Sequence, residues 1–224
     1  MYKKMIITID GPAGVGKTTL AKALSQSLKI AYLDTGAMFR AAAWIIGPDV
    51  LSVHEDELDF RLKVMHFRIQ GTGPGSCLML EGQPISDQVR TEEIGMLASR
   101  LAELRVVREF MKKSQQQIGK EISLVAEGRD MGSVVFPDAD YKFYLQADPE
   151  IRAARRYGQL RELGLKADKD KILKQIQKRD AQDENRAIAP LKPAHDAVRI
   201  DTGKHDPKEI LERMLQIIGN YRMP

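Results

Sequence analysis

The feature that most constrains this chain is a glycine-framed loop between an apolar run and an amphipathic stretch near the N-terminus. Residues 6–19 read IITIDGPAGVGKTT. The pattern G-x-x-x-x-G-K-[ST] is satisfied by Gly11, Gly16, Lys17 and Thr18. The run before the loop is short and β-branched, and the residues after it repeat at helical spacing. A strand, this loop and a helix N-terminus predict a site for a nucleoside triphosphate.

The chemistry of such a loop assigns a task to each residue type. Glycines let the backbone wrap around phosphate oxygens, so that amide N–H groups and the helix dipole face the anion. Lys17 contacts the outer phosphates, and the hydroxyl of Thr18 binds Mg²⁺. The predicted nucleotide-binding set is Gly11, Pro12, Ala13, Gly14, Val15, Gly16, Lys17, Thr18 and Thr19.

Composition excludes several classes of protein. With 224 residues, 43% of them hydrophobic, the chain has material for one compact domain with a small appendage. Its net charge of +4 comes from interleaved acids and bases, which gives little support to nucleic-acid binding. The one cysteine, Cys77, excludes an internal disulfide framework, and no apolar run reaches membrane-spanning length. We expect a cytoplasmic protein with no membrane partner.

Short apolar runs alternate with helical stretches along the chain. Further predicted strands lie at 30–34, 122–126, 141–146 and 197–201. Alternation of this kind predicts an α/β fold with a parallel sheet covered on both faces. Between Met65 and Ser86 the pattern changes to short segments of alternating apolar and polar residues, separated by the turn-rich GTGPG. This pattern predicts a small antiparallel insert.

Capping and helix-breaking residues predict where several helices begin and end. Asp148 before Pro149, and Asp206 before Pro207, each place an N-cap ahead of a proline at the first helical position. Gly164 divides the charged stretch that follows residue 150 into two helical pieces. This hairpin is either a solvated helical surface or a mobile cover that brings arginines over phosphates.

Charged residues follow two of the predicted strands. LDTGAMFRAA at 33–42 is read either as a capped helix start with Arg40 in solvent, or as a second phosphate grip. In VAEGRDMG, Glu127, Arg129 and Asp130 should project into the crevice at the strand ends, and Gly128 should allow a sharp turn. Glu127 is the candidate to orient Mg²⁺ through water, although no strand ends in a Walker B aspartate.

A third charged segment, KRDAQDENRAIAPLKPA, covers residues 178–194. Arg179, Asp183 and Arg186 are spaced i, i+4 and i+7, which predicts one shared helical face. Such a face is either an exposed, salt-bridged stripe or part of a ligand site.

These segments together resemble the bacterial cytidylate kinases, which transfer the γ-phosphate of ATP to CMP or dCMP. The matching motifs include IDGPAGVGKTTLAKAL, LDTGAMFRA, EGQPISDQVRT, EGRDMGSVVFPDAD and RDAQDENRAIAPL. The resemblance implies a P-loop three-layer fold with a five-stranded parallel sheet. It also implies a nucleotide-monophosphate-binding insert at 65–88, a short helical lid at 150–166, and a core formed by 1–64, 89–149 and 167–224.

The resemblance carries roles onto matching positions. Cytosine would be read by Ser99, Arg108 and Asp130, and the sugar held by Arg179 and Asp183. The acceptor phosphate would be held by Thr35, Arg40, Arg129 and Arg186. The lid residues Arg152, Arg155 and Arg156 would meet the ATP phosphates, and the catalytic set would be Lys17, Arg129, Arg155 and Arg186. Two positions depart from the family: Thr35 stands where Ser is frequent, and Glu127 where Asp is frequent.

Three alternatives follow from the same loop. A GTPase-type switch needs an N/T-K-x-D sequence, which the chain lacks. A nucleic-acid-binding module needs a basic stripe with interleaved aromatic residues, whereas only 6% of residues are aromatic. A UMP/CMP kinase or another nucleoside monophosphate kinase is the serious competitor. The expected partners are ATP and CMP or dCMP, with Mg²⁺ as cofactor and a monomeric chain.

Overall fold

The structure, a computed structural model, describes residues 4–48 and 53–220. Residues 1–3, 49–52 and 221–224 of the predicted core lie outside this range. The strands within it are β1 (Ile6–Asp10), β2 (Ala31–Asp34), β3 (Phe67–Gln70), β4 (Cys77–Leu80), β5 (Gln83–Pro84), β6 (Leu124–Gly128), β7 (Tyr141–Gln146) and β8 (Val198–Asp201). The helices are α1 (Lys17–Leu28), α2 (Thr35–Ile46), α3 (Glu55–Lys63), α4 (Glu92–Leu101), α5 (Arg105–Glu121), α6 (Pro149–Glu162), α7 (Lys169–Asn185) and α8 (Pro207–Asn220).

The larger sheet is parallel and has the strand order β2-β6-β1-β7-β8. This confirms the α/β fold and each of the five predicted core strands. The carboxyl ends of β1, β2 and β6 lie in register, because Asp10 pairs with Gly128 and Asp34 pairs with Glu127. The predicted antiparallel insert is also confirmed, as the three-stranded sheet β3-β4-β5.

Helices cover both faces of the parallel sheet, and each face has its own apolar core. On one side Ile7 and Ile9 of β1 pack with Leu24 of α1 and Met214 of α8. On the other side the buried residues come from β6, α2, α3 and α5, and include Leu124, Met38, Leu62 and Met111. A smaller cluster, Ala153, Ile172 and Ile176, joins α6 to α7. Strands buried on both faces explain the nearly continuous apolar runs in the sequence.

The predicted helix starts are confirmed, with one difference in how they are capped. α6 begins at Pro149 and α8 begins at Pro207. Asp206 accepts hydrogen bonds from the amides of Lys208 and Glu209, as an N-cap should. Asp148 occupies the N-cap position of α6, but its side chain accepts no capping hydrogen bond. Gly164 follows α6 with φ of +73°, which confirms the predicted break.

Two local predictions were wrong: the helical face assigned to Arg186, and the reason given for a glycine at position 128. Arg186 does not share a helical face with Arg179 and Asp183, because α7 ends at Asn185 and Arg186 is already extended, with ψ of 135°. The backbone φ of Gly128 is not positive, so its conformation does not itself require glycine. A Cβ there would lie 2.7 Å from the side chain of Met131 and 2.9 Å from the hydroxyl of Thr35. Close packing, rather than a sharp turn, therefore requires glycine at 128.

In the part of the chain that the structure describes, every helix is too short or too polar to cross a lipid bilayer.

A buried carboxylate ties β1 to the turn that follows β6. Asp10, which is 3% exposed, accepts hydrogen bonds from the backbone amides of Met131 at 2.9 Å and Gly132 at 2.8 Å. Burial raises the pKa of Asp10 from 3.8 to about 6, with the nearby charge of Asp130 acting in the same direction and the two amides opposing it. Asp10 therefore anchors the turn that carries Arg129 and Asp130.

Replacing Asp10 should change how stability depends on pH. Because the pKa is raised in the folded state, protonated Asp10 stabilises the fold below about pH 4, and this contribution is lost as the pH rises through about 6. We expect the free energy of unfolding of wild type, minus that of Asp10→Asn, to fall by about 2 kcal/mol between about pH 4 and about pH 7. Urea unfolding at both pH values measures it, with the exposed Asp138→Asn as control for the loss of one carboxylate. A difference that does not vary with pH would contradict the assignment.

Candidate active site

The candidate site lies at the carboxyl edge of the parallel sheet, where β1, β2 and β6 end side by side. Each strand leads into a segment that the sequence singled out. β1 runs into the loop 11–16, β2 into Thr35 at the start of α2, and β6 into Arg129 and Asp130. Ligand crevices of open α/β sheets form at this edge, so one fold feature brings the three motifs together.

The loop after β1 is tightly enclosed. A Cβ at Gly11 would lie 2.4 Å from the carbonyl oxygen of Leu145, so no larger residue fits there. Lys17 begins α1, is 7% exposed, and donates from Nζ to the carbonyls of Gly11 at 2.8 Å and Pro12 at 2.7 Å. The lysine thus closes the loop upon itself.

Lys17 shares its surroundings with other cations. Burial lowers the pKa of Lys17 well below its usual value, and the charges of Arg129 and Arg179 lower it further. The pKa of Arg179 falls to about 10, first through burial and then through the charges of Arg129 and Arg40. The pKa of Arg186 is also lowered, by burial and then by Arg108 and Arg129 against the opposing charge of Asp183. These cations come from the start of α1, from α2 and α5, from α7 and the residue after it, and from the end of β6, and each lies near enough to another for a charge effect on pKa.

Oxygen groups beside the loop fit a magnesium ion. Thr18 donates from Oγ1 to Oε2 of Glu127 at 3.1 Å, and Tyr32 donates its hydroxyl to Oε1 of the same carboxylate. Burial, together with the charge of Asp34, raises the pKa of Glu127. Within residues 4–48 and 53–220 no group of three or more His, Cys, Asp or Glu could form a metal cage. A hydroxyl and one carboxylate suit Mg²⁺, which takes its other ligands from water and phosphates.

The segment after β2 places an arginine against a carboxylate. Asp34 caps α2 by accepting from the amide of Ala37 at 2.9 Å, and its Oδ2 also lies 3.3 Å from Nη2 of Arg40. Thr35 donates its hydroxyl to the backbone carbonyl of Glu127 at 2.7 Å. Of the two readings of this segment, an arginine in solvent is wrong, because only 20% of the Arg40 side chain is exposed.

Two of the three residues assigned to the base form a buried contact. Arg108 of α5 is 8% exposed and donates from Nη2 to Oδ2 of Asp130. Its Nη1 donates to the carbonyl of Ala102 at 3.3 Å. Ser99 lies half-buried on the neighbouring helix α4. A fixed donor beside a fixed acceptor can discriminate between bases by their hydrogen-bonding edges.

The residues assigned to the sugar and the acceptor phosphate surround Asp183. Arg129 donates from Nε to Oδ2 of Asp183 at 2.7 Å, and Nη1 of Arg186 lies 3.8 Å from its Oδ1. Although burial alone would raise it, these arginines and Arg179 hold the pKa of Asp183 below its usual range. Of the two readings of this segment, an exposed stripe is wrong, since Asp183 is 4% exposed.

Several guanidinium donors of these arginines have no hydrogen-bond partner among residues 4–48 and 53–220. The buried atoms without a hydrogen bond to any described residue include Nε of Arg40, Nε of Arg179, and Nε and Nη2 of Arg186. Buried polar groups are almost always hydrogen-bonded, and an unpaired one costs about 1–3 kcal/mol. Unpaired donors on three arginines of one cleft therefore indicate a site for an anionic ligand.

Of the three arginines of α6 assigned to ATP, Arg152 is the one with a hydrogen bond to the loop among the described residues. Arg152 bonds to the carbonyl of Ala13 at 3.0 Å and to Asp180. Arg155 donates to the hydroxyl and the carbonyl of Thr202, whereas Arg156 is exposed.

Four residues of this region escaped the sequence analysis: Asp10, Tyr32, Asp180 and Thr202. Asp10 had a local signal, since it is the last residue of a strand and precedes the loop directly. The contacts of the other three join positions far apart in the chain, such as Tyr32 with Glu127 and Thr202 with Val15. No spacing in one sequence can predict such pairs.

Comparison with known proteins identifies the family of the chain. The family model described as cytidylate kinase matches residues 7–220. A cytidylate kinase of Oleidesulfovibrio alaskensis is 51% identical over 96% of this chain and 98% of its own length. One from Maridesulfovibrio salexigens is 50% identical over 96% of both chains, and one from Fervidobacterium nodosum 44% identical over 95% of both.

Among solved structures, an uncharacterised protein from Eubacterium ventriosum is similar with a TM-score of 0.50 and 16% identity, covering 97% of this chain and 99% of that one. This likeness concerns the fold alone. The match of the family model over nearly the whole length, with relatives at about half identity, decides the family. The chain belongs to the cytidylate kinase family.

Proposed function

We propose that this chain transfers the γ-phosphate of ATP to CMP or dCMP, giving ADP and the cytidine diphosphate, with the acceptor held in the arginine cleft. One observation carries the assignment of the site. Buried donors of Arg40, Arg179 and Arg186 have no hydrogen-bond partner among the described residues, and Arg179 lies near enough to Lys17 for its charge to lower the pKa of that lysine. A second phosphate-bearing ligand next to the first is what such donors require.

The donor nucleotide would occupy the loop 11–19. Amides at the start of α1 face its phosphates, and Lys17 would exchange the carbonyls of Gly11 and Pro12 for the outer phosphate oxygens. Phosphate would also restore the positive charge that burial and neighbouring cations disfavour at Lys17. Arg155 and Arg156 of α6, in the predicted lid, are the candidates to bind the phosphates of ATP.

The acceptor phosphate would lie among Arg40, Arg129 and Arg186. Arg40 and Arg129 are now bound to Asp34 and Asp183, which serve as internal counter-charges. Thr35 lies beside them, and its hydroxyl is already oriented by the end of β6. Guanidinium groups bind phosphate by paired N–H donors, so this set is suited to a phosphate monoester.

The remaining residues are suited to the nucleoside. Arg179 and Asp183 would hold the sugar, and Arg108, Asp130 and Ser99 would read the base. Cytosine offers an N4 amino donor to the carboxylate of Asp130, whereas uracil presents the O4 acceptor there. Arg108 can donate to O2 and N3 of cytosine, whereas N3 of uracil carries a proton. Each mismatch leaves a buried group unpaired, at a cost of about 1–3 kcal/mol. A UMP/CMP kinase is therefore not the favoured alternative.

The reaction needs alignment and charge neutralisation more than proton transfer. An oxygen of the acceptor phosphate attacks the γ-phosphorus in line, and the bond to the β,γ-bridging oxygen breaks, so that ADP leaves. The acceptor phosphate is already an anion at neutral pH and needs no general base. Lys17, Arg129, Arg155 and Arg186 would neutralise the charge that accumulates on the transferred group. Closure of the cleft would exclude water as a competing acceptor.

Magnesium belongs to the same proposal. Thr18 would bind the ion directly, and Glu127 would hold one of its waters, with Tyr32 fixing the carboxylate. When bound, the ion neutralises phosphate charge and orients the donor. A cytoplasmic location and a monomeric state stay predictions from the sequence.

Selectivity for cytosine should depend on the carboxylate of Asp130. In Asp130→Asn an amide can face O4 of uracil, so we expect kcat/KM for CMP to fall at least about tenfold and the ratio of CMP to UMP turnover to narrow by at least the same factor. A coupled ADP-release assay with CMP, dCMP, UMP, AMP and water as acceptors measures both. Asp138→Asn, at an exposed site, is the matched control. Unchanged selectivity in Asp130→Asn would refute the assignment of this residue to the base.

The magnesium requirement should depend on the hydroxyl at position 18. Thr18→Val keeps the shape of the side chain and removes the oxygen, so we expect the Mg²⁺ concentration for half-maximal ATP binding to rise at least about tenfold. Thr18→Ser retains the hydroxyl and should stay close to wild type. Calorimetric titration of ATP at several Mg²⁺ concentrations makes the comparison without turnover. Equal magnesium dependence in the Val and Ser variants would argue against a direct ligand.

A further inference from the structure

Arg152 of α6 is the most fully bonded guanidinium at the edge of the site. Its Nε donates to the carbonyl of Ala147 at 2.9 Å, and Nη1 donates to the carbonyl of Ala13 at 3.0 Å. Asp180 of α7 accepts from both terminal nitrogens, at 3.1 Å from Nη1 and 2.6 Å from Nη2. The side chains of Arg152 and Asp180 are only 4% and 12% exposed. One side chain thus joins the phosphate loop, the end of β7 and α7.

These contacts compete with the role that the family resemblance implies for Arg152. Arginine has five N–H donors, and four of them are directed at Ala147, Ala13 and Asp180. To reach the phosphates of ATP, Arg152 would have to leave a bidentate ion pair and two backbone carbonyls. Bidentate pairs of this kind are geometrically specific and strong when buried.

The bond to Ala13 orients the loop itself. In a planar trans peptide the carbonyl and the following N–H point to opposite sides. Holding the carbonyl of Ala13 against α6 therefore fixes the direction in which the amide of Gly14 faces. The loop is supported at a second carbonyl as well, because the hydroxyl of Thr202 donates to Val15 at 2.9 Å.

The bond to Asp180 reaches the other half of the site. Asp180 lies between Arg179 and Asp183 on α7, and Asp183 in turn binds Arg129 at 2.7 Å. A shift of α7 towards or away from the acceptor would therefore move the carboxylate that holds Arg152. The connection runs by hydrogen bonds from the loop through Arg152 to Asp180, and then along α7 to Arg179 and Asp183.

We propose that Arg152 and Asp180 form a positioning clasp, which couples the conformation of the phosphate loop to that of α7 so that the donor and the acceptor nucleotide strengthen each other's binding. The inference rests on the proposed function, since it takes the loop as the donor site and α7 as part of the acceptor site. A ligand that fixes the position of the loop or of α7 also fixes the position of the other through the clasp, so the second ligand meets an already oriented partner. Arg152 is then a positioning residue and not a phosphate ligand.

A double substitution tests the clasp without leaving a buried charge unpaired. Arg152→Met with Asp180→Leu replaces the pair by apolar side chains, a change that commonly preserves folding. Arg152→Lys is the second variant, because an ammonium group keeps the charge but cannot reproduce the bidentate geometry. The control is Lys142→Met with Asp196→Asn, which removes another pair with a buried cation on β7. The hydrogen bonds of Lys142 go to Pro137 and Asp196 and do not reach the loop or α7.

The measurement is calorimetric binding of a non-hydrolysable ATP analogue and of CMP, each alone and with the other at saturation, in the presence of Mg²⁺. In wild type and in the control we expect each ligand to bind about fivefold or more tightly when the other is present, by the same factor in both directions. In the double variant this factor should fall to about one, and in Arg152→Lys it should lie between. Thermal unfolding checks that the variants remain folded.

Three outcomes would overturn the clasp. The first is a folded double variant whose coupling factor equals that of wild type. If the double variant does not fold, the same result in Arg152→Lys counts instead. The second is that wild type binds both ligands, but the affinity for each does not change when the other is present. The third is a large loss of analogue binding in the absence of CMP with the coupling factor intact, which would make Arg152 a direct phosphate ligand. If wild type binds neither ligand, the proposed function itself fails and the clasp falls with it.

Discussion

Repulsion among buried cations at the carboxyl edge of the sheet is the constraint on which the rest of this structure depends. Burial lowers the pKa of Lys17 and of Arg179, and the charge of Arg129 lowers both further. At an intermediate dielectric, two like charges about 4 Å apart repel by on the order of 4 kcal/mol, and the repulsion falls with distance. A fold that gathers them must supply anions, and this one supplies carboxylates.

The internal carboxylates explain how the cleft can exist without its ligands and still favour them. Asp34, Asp130 and Asp183 each bind an arginine of the cluster, but buried donors of Arg186 and Arg179 are left over. A phosphate would satisfy those donors, and each charge-assisted hydrogen bond contributes about 1.5–3 kcal/mol. The same logic explains why the chemistry needs few protein groups beyond cations, since phosphoryl transfer is limited by charge and alignment.

The sequence predicted this site wherever one segment carried the information. The loop around Lys17, the five core strands and the charged strand ends follow from local patterns, because a parallel sheet must bring its carboxyl ends together. Arg186 was placed on a helix that ends one residue earlier, since spacing alone cannot locate a helix end. The partners of Arg152 could not be predicted either. Asp180 and Ala13 are 28 and 139 positions away from it, and only the packing of α6 against α7 and the loop joins them.

The arginine cleft is proposed to bind the phosphate of the acceptor and not merely its base. The most direct test is the affinity of CMP compared with that of cytidine, measured by calorimetry at one pH and ionic strength. Because two or more charge-assisted contacts with the phosphate are proposed, we expect CMP to bind at least about 100-fold more tightly than cytidine. Equal affinities for CMP and cytidine would show that the unpaired guanidinium groups do not receive the phosphate.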